Sequence, residues 1–205
     1  MSDVRGVTGY NEGSAELIPR YEALRFETVH ASVLHLLPEP PGAVLDVGAG
    51  TGRDASALDA RGFTVTAIEP CDAFRDAGQK MHPSSIRWIN DGLPALASLG
   101  DVRDAFDVIM ATAMWMHLDV GEREQGMKQV ARLLKPGGRL IMSLRHGVVP
   151  EGRIMFEVSS DETARLAEAC GLKLIFNFHE PSLEPENRNA GVTWSKLVFE
   201  KSGRQ

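Results

Sequence analysis

Three kinds of residue in this chain stand at spacings that suit chemistry on a small ligand. The first is the run Val44-Leu45-Asp46-Val47-Gly48-Ala49-Gly50-Thr51-Gly52-Arg53-Asp54. An apolar run bounded by a glycine cluster reads as a strand buried on both faces, with Arg53 to Ala60 reading as a helix. Gly48 and Gly50 allow a sharp turn and bare backbone close to a ligand, and the following helix aims free N–H groups at the same place. Such a corner suits a phosphate or a carboxylate. A dinucleotide fingerprint requires G-x-G-x-x-G, whereas Arg53 occupies the third glycine position and Gly52 comes one residue early. The second is Glu69, 21 residues beyond Gly48 at the end of the next apolar run, close to the roughly 20 that bring a ribose-binding acid to the crevice of a βαβ unit.

The third is a set of polar side chains after later strands: His117 with Trp115 and Met116, and Arg145-His146. Histidine titrates near neutrality, which makes His117 and His146 candidate general bases, with Trp115 and Met116 as an apolar wall. A guanidinium grips a carboxylate or phosphate with two parallel bonds, so Arg145, helped by Arg153 or Arg188, is a candidate anion site. The bland readings are a histidine at a helix start, a polar neighbour of Arg145, and surface arginines.

The elements that position these groups follow in order. Residues 1–13 are polar with Gly6, Gly9 and Gly13, and read as a loose arm. Apolar residues at helical spacing run from Ser14 to Leu37, with Pro19 expected to separate two helical pieces and the run stopping at Pro38-Glu39-Pro40-Pro41-Gly42. Phe63 to Ile68 reads as the second strand and Ile86 to Ile89 as the third, followed by Asn90-Asp91-Gly92-Leu93, a turn-forming sequence in its own right. Phe106 to Met110 is the fourth strand, Glu122 to Leu134 an amphipathic helix ended by Lys135-Pro136-Gly137-Gly138, and Arg139 to Leu144 the fifth strand. Ser159-x-x-Glu162 reads as a capping box for a helix running to Cys170. Lys173 to Phe178 and Val192 to Glu200 read as an antiparallel pair joined by residues 180–191, which lie at the ligand end of the sheet if the sixth strand is parallel to the others.

The motifs together resemble class I S-adenosylmethionine-dependent methyltransferases: Asp46-x-Gly48-x-Gly50-x-Gly52 with Glu69, and Leu134-Lys135-Pro136-Gly137-Gly138 before an apolar strand. The resemblance covers residues 40–145 well, the C-terminal part moderately and the first 40 residues poorly. It implies an α/β fold, a doubly wound, mostly parallel seven-stranded sheet of order 3-2-1-4-5-7-6 with strand 7 antiparallel. One methyltransferase domain is expected over 1–205, with an N-terminal helical cover (1–41) and a catalytic core (42–205). S-adenosylmethionine is the implied cofactor and S-adenosylhomocysteine its product. The implied cofactor contacts are Tyr21, Asp46, Gly48, Ala49, Gly50, Glu69, Pro70, Asp91, Gly92, Leu93 and Ala111. In that family the glycine loop faces the methionine part, the acid after the second strand takes the ribose hydroxyls, the acid after the third takes the adenine amine, and an N-terminal helix covers the pocket, here with Tyr21 or Arg25. An ordinary packing tyrosine is the alternative for Tyr21.

Two nucleic-acid subclasses are disfavoured, since the segment after the fourth strand has neither an Asn/Asp-Pro-Pro-aromatic tetrapeptide nor a nucleophilic cysteine. A net charge of −6 also argues against a broad nucleic-acid footprint. The expected partner is a small acceptor, anionic if the arginines converge, with no nucleic acid, no membrane, and a monomeric or homodimeric chain. No Cys/His cluster has metal-ligand spacing. Two cysteines without a motif, Cys71 and Cys170, fit a reducing cytoplasm. The competing readings are a nicotinamide-dependent oxidoreductase and a cofactor-binding module without catalysis. The acceptor and the methylated atom are not readable from these residues.

Overall fold

The computed structural model describes residues 5–203. Seven strands form one sheet of order β3-β2-β1-β4-β5-β7-β6: β1 (Ala43–Val47), β2 (Thr64–Ile68), β3 (Arg87–Ile89), β4 (Phe106–Ala111), β5 (Leu134–His146), β6 (Leu172–Pro181) and β7 (Thr193–Lys201). The pairs among β1 to β5 are parallel, and β7 runs antiparallel to both β5 and β6. The order and the single reversed strand are those the sequence implied.

The helices are α1 (Ser14–Glu22), α2 (Phe26–Val29), α3 (Arg53–Ala60), α4 (Asp72–Met81), α5 (Val120–Leu133), α6 (Ser160–Ala169) and α7 (Pro185–Asn189). The sheet divides the core into two apolar clusters, one on each face. Leu45, Ile68, Ile109, Met127 and Phe199 belong to one, and Val44, Leu58, Val65, Val108 and Val198 to the other. Neighbouring strand residues such as Val44 and Leu45 fall in different clusters because side chains alternate across a sheet. Each such fully buried aliphatic contributes about 1.5–3 kcal/mol.

Five local expectations change. Pro19 lies inside α1, and the chain breaks later, at Arg25, which has extended backbone before α2; the residues beyond Pro19 still close helical bonds, Ala23 N–H reaching the Pro19 carbonyl. The arm holds a 3₁₀ turn, Arg5–Val7, and is tied to the rest at Tyr10. β5 starts at Leu134 rather than Arg139, because Leu134 already pairs with Phe106 before the register shifts to Val108 and Arg139. α5 starts two residues before Glu122, capped by Asp119, whose side chain accepts from Glu122 N while Glu122 reaches back to Asp119 N. Ser159 caps α6 by accepting from Glu162 N, but the Glu162 carboxylate binds the guanidinium of Arg123 instead of closing a box.

Candidate active site

The site grows from the end of β1. Gly48 has φ +70°, and a Cβ there would lie 2.9 Å from the Met114 Cβ, so any other residue would push against the segment after β4. Gly50 has φ +58° and no heavy atom within 4 Å of a Cβ placed on it, because that side of the loop opens into a cavity. Glu69, just past β2, ties the loop down: its Oε2 accepts from Gly50 N (2.7 Å) and its Oε1 from Cys71 N (2.8 Å). Burial pushes this carboxyl up to about 7, against the opposing pull of those two bonds and of Arg75.

Asp46 is buried on β1, and its Oδ2 has no hydrogen-bond partner among the described residues. Burial raises its pKa well above the usual range, with Asp54 adding repulsion. Asp54 is the better satisfied: its carboxylate meets His30 Nε2 (2.8 Å), Arg53 Nε (2.8 Å) and the Thr112 hydroxyl (3.0 Å). Burial alone would raise Asp54, but His30 and Arg53 outweigh it and hold the group well below 3.8.

A cavity of about 190 Å³ opens over this floor, lined by the loop from Asp46 to Thr51, Glu69 and Pro70, Gly92 and Leu93, and the segment Thr112 to Met114. Tyr10, Tyr21, Phe74 and His117 close it. A second cavity of about 400 Å³ adjoins it, walled by Leu17, Leu24, Met116, Met155 and Trp194 with Arg145, Arg153 and Lys196. Tyr10, Tyr21, Arg53, Thr112 and Ala113 line both. Ala113 takes φ +55° there, its N–H bonded to Ser143 Oγ (2.9 Å).

The cations of the larger cavity differ in their freedom. Arg20 is paired with Glu184, and Lys196 donates to the Val29 carbonyl (2.9 Å). Burial lowers the Lys196 pKa, against the attraction of Glu180 and Asp54. Among the described residues Arg145 donates to the Val148 carbonyl alone (2.8 Å). Arg153 lies with Cζ 3.6 Å from the Tyr10 ring centroid, and its buried Nη1 has no partner among the described residues. Burial lowers the Arg145 pKa, and that of His117 as well.

The structure thus brings Tyr21, Asp46, Gly48, Ala49, Gly50, Glu69, Pro70, Gly92, Leu93 and His117 to the smaller cavity and Arg145 to the larger one. The remaining candidates line neither. Asp91 accepts from Gly92 N and Ser98 N and so shapes the loop that carries Gly92 and Leu93. Ala111 and Trp115 are packed in the core. His146 meets Ser195 Oγ (2.8 Å) beside His179. Arg188 donates to the Ser182 and Leu183 carbonyls around α7. Residues the sequence reading did not single out are Tyr10, Thr112, Met114, Trp194 and Lys196. The chain has two tyrosines, and both stand in the wall the two cavities share.

A methyltransferase-domain family model matches residues 45–142, from inside β1 through most of β5. An uncharacterised methyltransferase of Mycobacterium tuberculosis is 32% identical over 105 residues, 51% of this chain and 40% of that protein. The chain therefore spans about two fifths of that relative. An uncharacterised methyltransferase of Oceanobacillus iheyensis is 27% identical over 203 residues, covering 97% of this chain and 84% of the other. Residues 45–142 match a methyltransferase domain, and the chain is similar to class I S-adenosylmethionine-dependent methyltransferases. Its fold is that of the Burkholderia thailandensis 1,6-didemethyltoxoflavin-N1-methyltransferase, solved with bound 1,6-didemethyltoxoflavin and S-adenosylhomocysteine. The TM-score is 0.70 at 21% identity, over 94% of this chain and 84% of that one.

The cofactor of this methyltransferase domain is S-adenosylmethionine, and the residues present fit it. The orphaned Asp46 oxygen suits an ammonium group, and the open side of Gly50 leaves room for a ligand against bare backbone. Glu69 keeps free lone pairs for hydroxyl donors beyond the two backbone bonds it accepts. Among the described residues no cluster of His, Cys, Asp and Glu could hold a metal, and no helix is long and apolar enough to cross a membrane.

Proposed function

We propose that this chain methylates a small anionic acceptor seated in the larger cavity, with the cofactor in the smaller one. The supporting observation is that the two cavities share a wall while Arg145 and Arg153 reach the larger one with no carboxylate partner among the described residues. Residues 1–41 act as cover and 42–205 as core of one domain in this reading. When bound, the cofactor supplies a methyl group already activated by a positive sulfur.

The protein's part is placement. Arg145 and Arg153 grip the acceptor's anion, fixing its orientation with charge-assisted bonds. Met116, Met155 and Trp194 hold its apolar body. Thr112 and Ala113 form the seam at which the acceptor must face the smaller cavity. Orientation of this kind is worth effective molarities of roughly 10⁵–10⁸ M. A hydroxyl or amine acceptor loses a proton on methylation, and the nearby His117 ring is where that positive charge finally rests. Glu180 and Glu184 line the same cavity and turn away a second anion by repulsion.

The test is calorimetric titration with S-adenosylhomocysteine, with NAD in parallel and Glu69→Ala as control, followed by transfer of a labelled methyl group to a panel of carboxylates. Micromolar binding of S-adenosylhomocysteine alone, weakened by the substitution, with turnover of at least one carboxylate, is the expected result. NAD binding instead would favour an oxidoreductase. Cofactor binding without any turnover would favour a module that has lost catalysis.

A further inference from the structure

Tyr10 and His117 form a hydrogen-bonded pair that spans both cavities. His117 Nδ1 lies 2.7 Å from the Ile154 carbonyl, which only accepts, so Nδ1 carries the proton. Burial keeps the ring neutral, and its Nε2 is then an acceptor, filled by the Tyr10 hydroxyl at 2.9 Å. The consequence is geometric. His117 lines only the smaller cavity, and its one basic lone pair is covered, whereas Tyr10 lines both. Because the Tyr10 proton is committed to His117, its oxygen can only accept, from Arg153 and, with its second lone pair, from a donor in the larger cavity that Tyr10 lines.

We infer that Tyr10 is the catalytic residue that takes the acceptor's proton, handing its own to His117. The inference rests on the methyltransferase reading above. As the acceptor's nitrogen or oxygen lone pair forms its bond to the methyl carbon, the carbon–sulfur pair stays on sulfur and the acceptor is left with one proton too many. That proton moves to Tyr10 Oη while the Tyr10 proton crosses to His117 Nε2. The positive charge that began on sulfur ends on the imidazolium, whose Nδ1–H remains bound to Ile154. Burial, with Tyr21 and Glu69 nearby, disfavours a free tyrosinate, against the pull of Arg153. A relay needs none, since Tyr10 gains a proton as it gives one up. Arg153 and Arg145 face His117 and shed the proton afterwards by disfavouring its charged form. The acceptor class follows: an anion that carries an N–H or O–H at the reacting atom.

Two packing contacts hold the relay. The Tyr10 ring stands edge-on to Phe74 (centroids 5.7 Å) and beneath the Arg153 guanidinium, so Tyr10→Phe keeps the ring's contacts and removes only the hydroxyl.

The experiment is labelled methyl transfer by wild type, Tyr10→Phe, His117→Gln and the double variant, using amino acids, hydroxy acids and hydroxybenzoates as probe acceptors. Near neutral pH each single variant is expected to lose at least about tenfold in kcat. Its KM for S-adenosylmethionine stays unchanged, and the double variant loses no more than the worse single one, as residues acting in one unit do. Nitrogen NMR of the wild type bound to S-adenosylhomocysteine should show His117 as the Nδ1–H tautomer. Equal turnover by Tyr10→Phe, additive losses in the double variant, or an Nε2–H tautomer would overturn the relay and leave the methyltransferase reading standing. Failure of the wild type to bind S-adenosylhomocysteine, or to methylate any protic carboxylate, overturns the parent reading and the relay with it.

Discussion

His30 Nε2 and Asp54 Oδ2 meet at 2.8 Å, both almost sealed from solvent, beneath the wall that the two cavities share. His30 follows α2, and Asp54 lies in the first turn of α3. The pair therefore fastens the segment before β1 to the glycine loop's helix, and Arg53 and Thr112, which line both cavities, bind the same carboxylate. Removing one partner of such a buried group leaves the others uncompensated, at a cost of about 3–5 kcal/mol.

Asp54→Asn is accordingly expected to lower unfolding free energy by about 3–5 kcal/mol in a denaturant titration. The pH dependence has a definite sign. The folded-state pKa lies below 3.8, so the stabilisation is present above that value and is lost as pH falls through the depressed pKa. The gap between wild type and variant should therefore hold near neutrality and shrink in strong acid. A variant as stable as wild type would mean that the pair bears no such role.

Glu69 yields a prediction of opposite sign. Its folded pKa is pushed up to about 7 from an ordinary 4.5, so the folded chain holds the extra proton across that window. Its favourable share of stability is full below 4.5 and is lost as pH rises towards about 7. Hydroxyl donors from a bound cofactor favour the charged form. S-adenosylhomocysteine binding near pH 6.5 should thus release a fraction of one proton, seen calorimetrically as a heat that depends on the buffer. Glu69→Gln should abolish the release and weaken binding about tenfold or more, as expected for lost hydrogen bonds to a charged group. Proton release unchanged in Glu69→Gln would assign the linkage elsewhere.

What the sequence made legible follows from how local each cause is. The glycine loop and Glu69 were readable because turn, strand and helix at that corner fix one another within about 25 residues. Arg145 and His146 both follow the apolar core of the fifth strand, yet adjacent residues of a strand face opposite sides. Register pairs them with Trp194 and Thr193; Arg145 reaches the larger cavity, and His146 turns to Ser195. Tyr10 was illegible because its place depends on residues far along the chain. Arg153 stacks on its ring, and Gly9 lies against the backbone of Gly152, where an added Cβ would collide. Asp91 shows a local signal prevailing: the turn chemistry of Asn-Asp-Gly is what its carboxylate performs.

The two glycines of the loop should respond differently to alanine. Gly48→Ala meets Met114 at 2.9 Å as well as an unfavourable φ, and should cost stability by about 2 kcal/mol or more, from overpacking added to backbone strain. Gly50→Ala carries only the strain, about 1 kcal/mol, but sets its methyl into the smaller cavity. It should fold and lose S-adenosylhomocysteine affinity by about tenfold or more, through the displaced contact with the loop. Thermal unfolding beside calorimetry separates the cases, and equal affinity for Gly50→Ala and wild type would mean that the ligand does not approach that face.

Arg145 and Arg188 provide the sharpest contrast among the arginines. Both follow or join strands at the same end of the sheet, but Arg145 lines the larger cavity with one backbone bond, whereas Arg188 gives its donors to Ser182 and Leu183. Lysine keeps the charge and loses the two-pronged geometry. Arg145→Lys should raise the acceptor KM about tenfold, the worth of roughly 1.4 kcal/mol, within the range of a hydrogen bond to a charged group, with kcat nearly unchanged because the grip is equal before and during transfer. Arg188→Lys should leave both constants alone and cost at most a small amount of stability at α7. Steady-state kinetics on a protic carboxylate decides between them. A KM effect for Arg188→Lys and none for Arg145→Lys would move the anion site to the loop that carries α7.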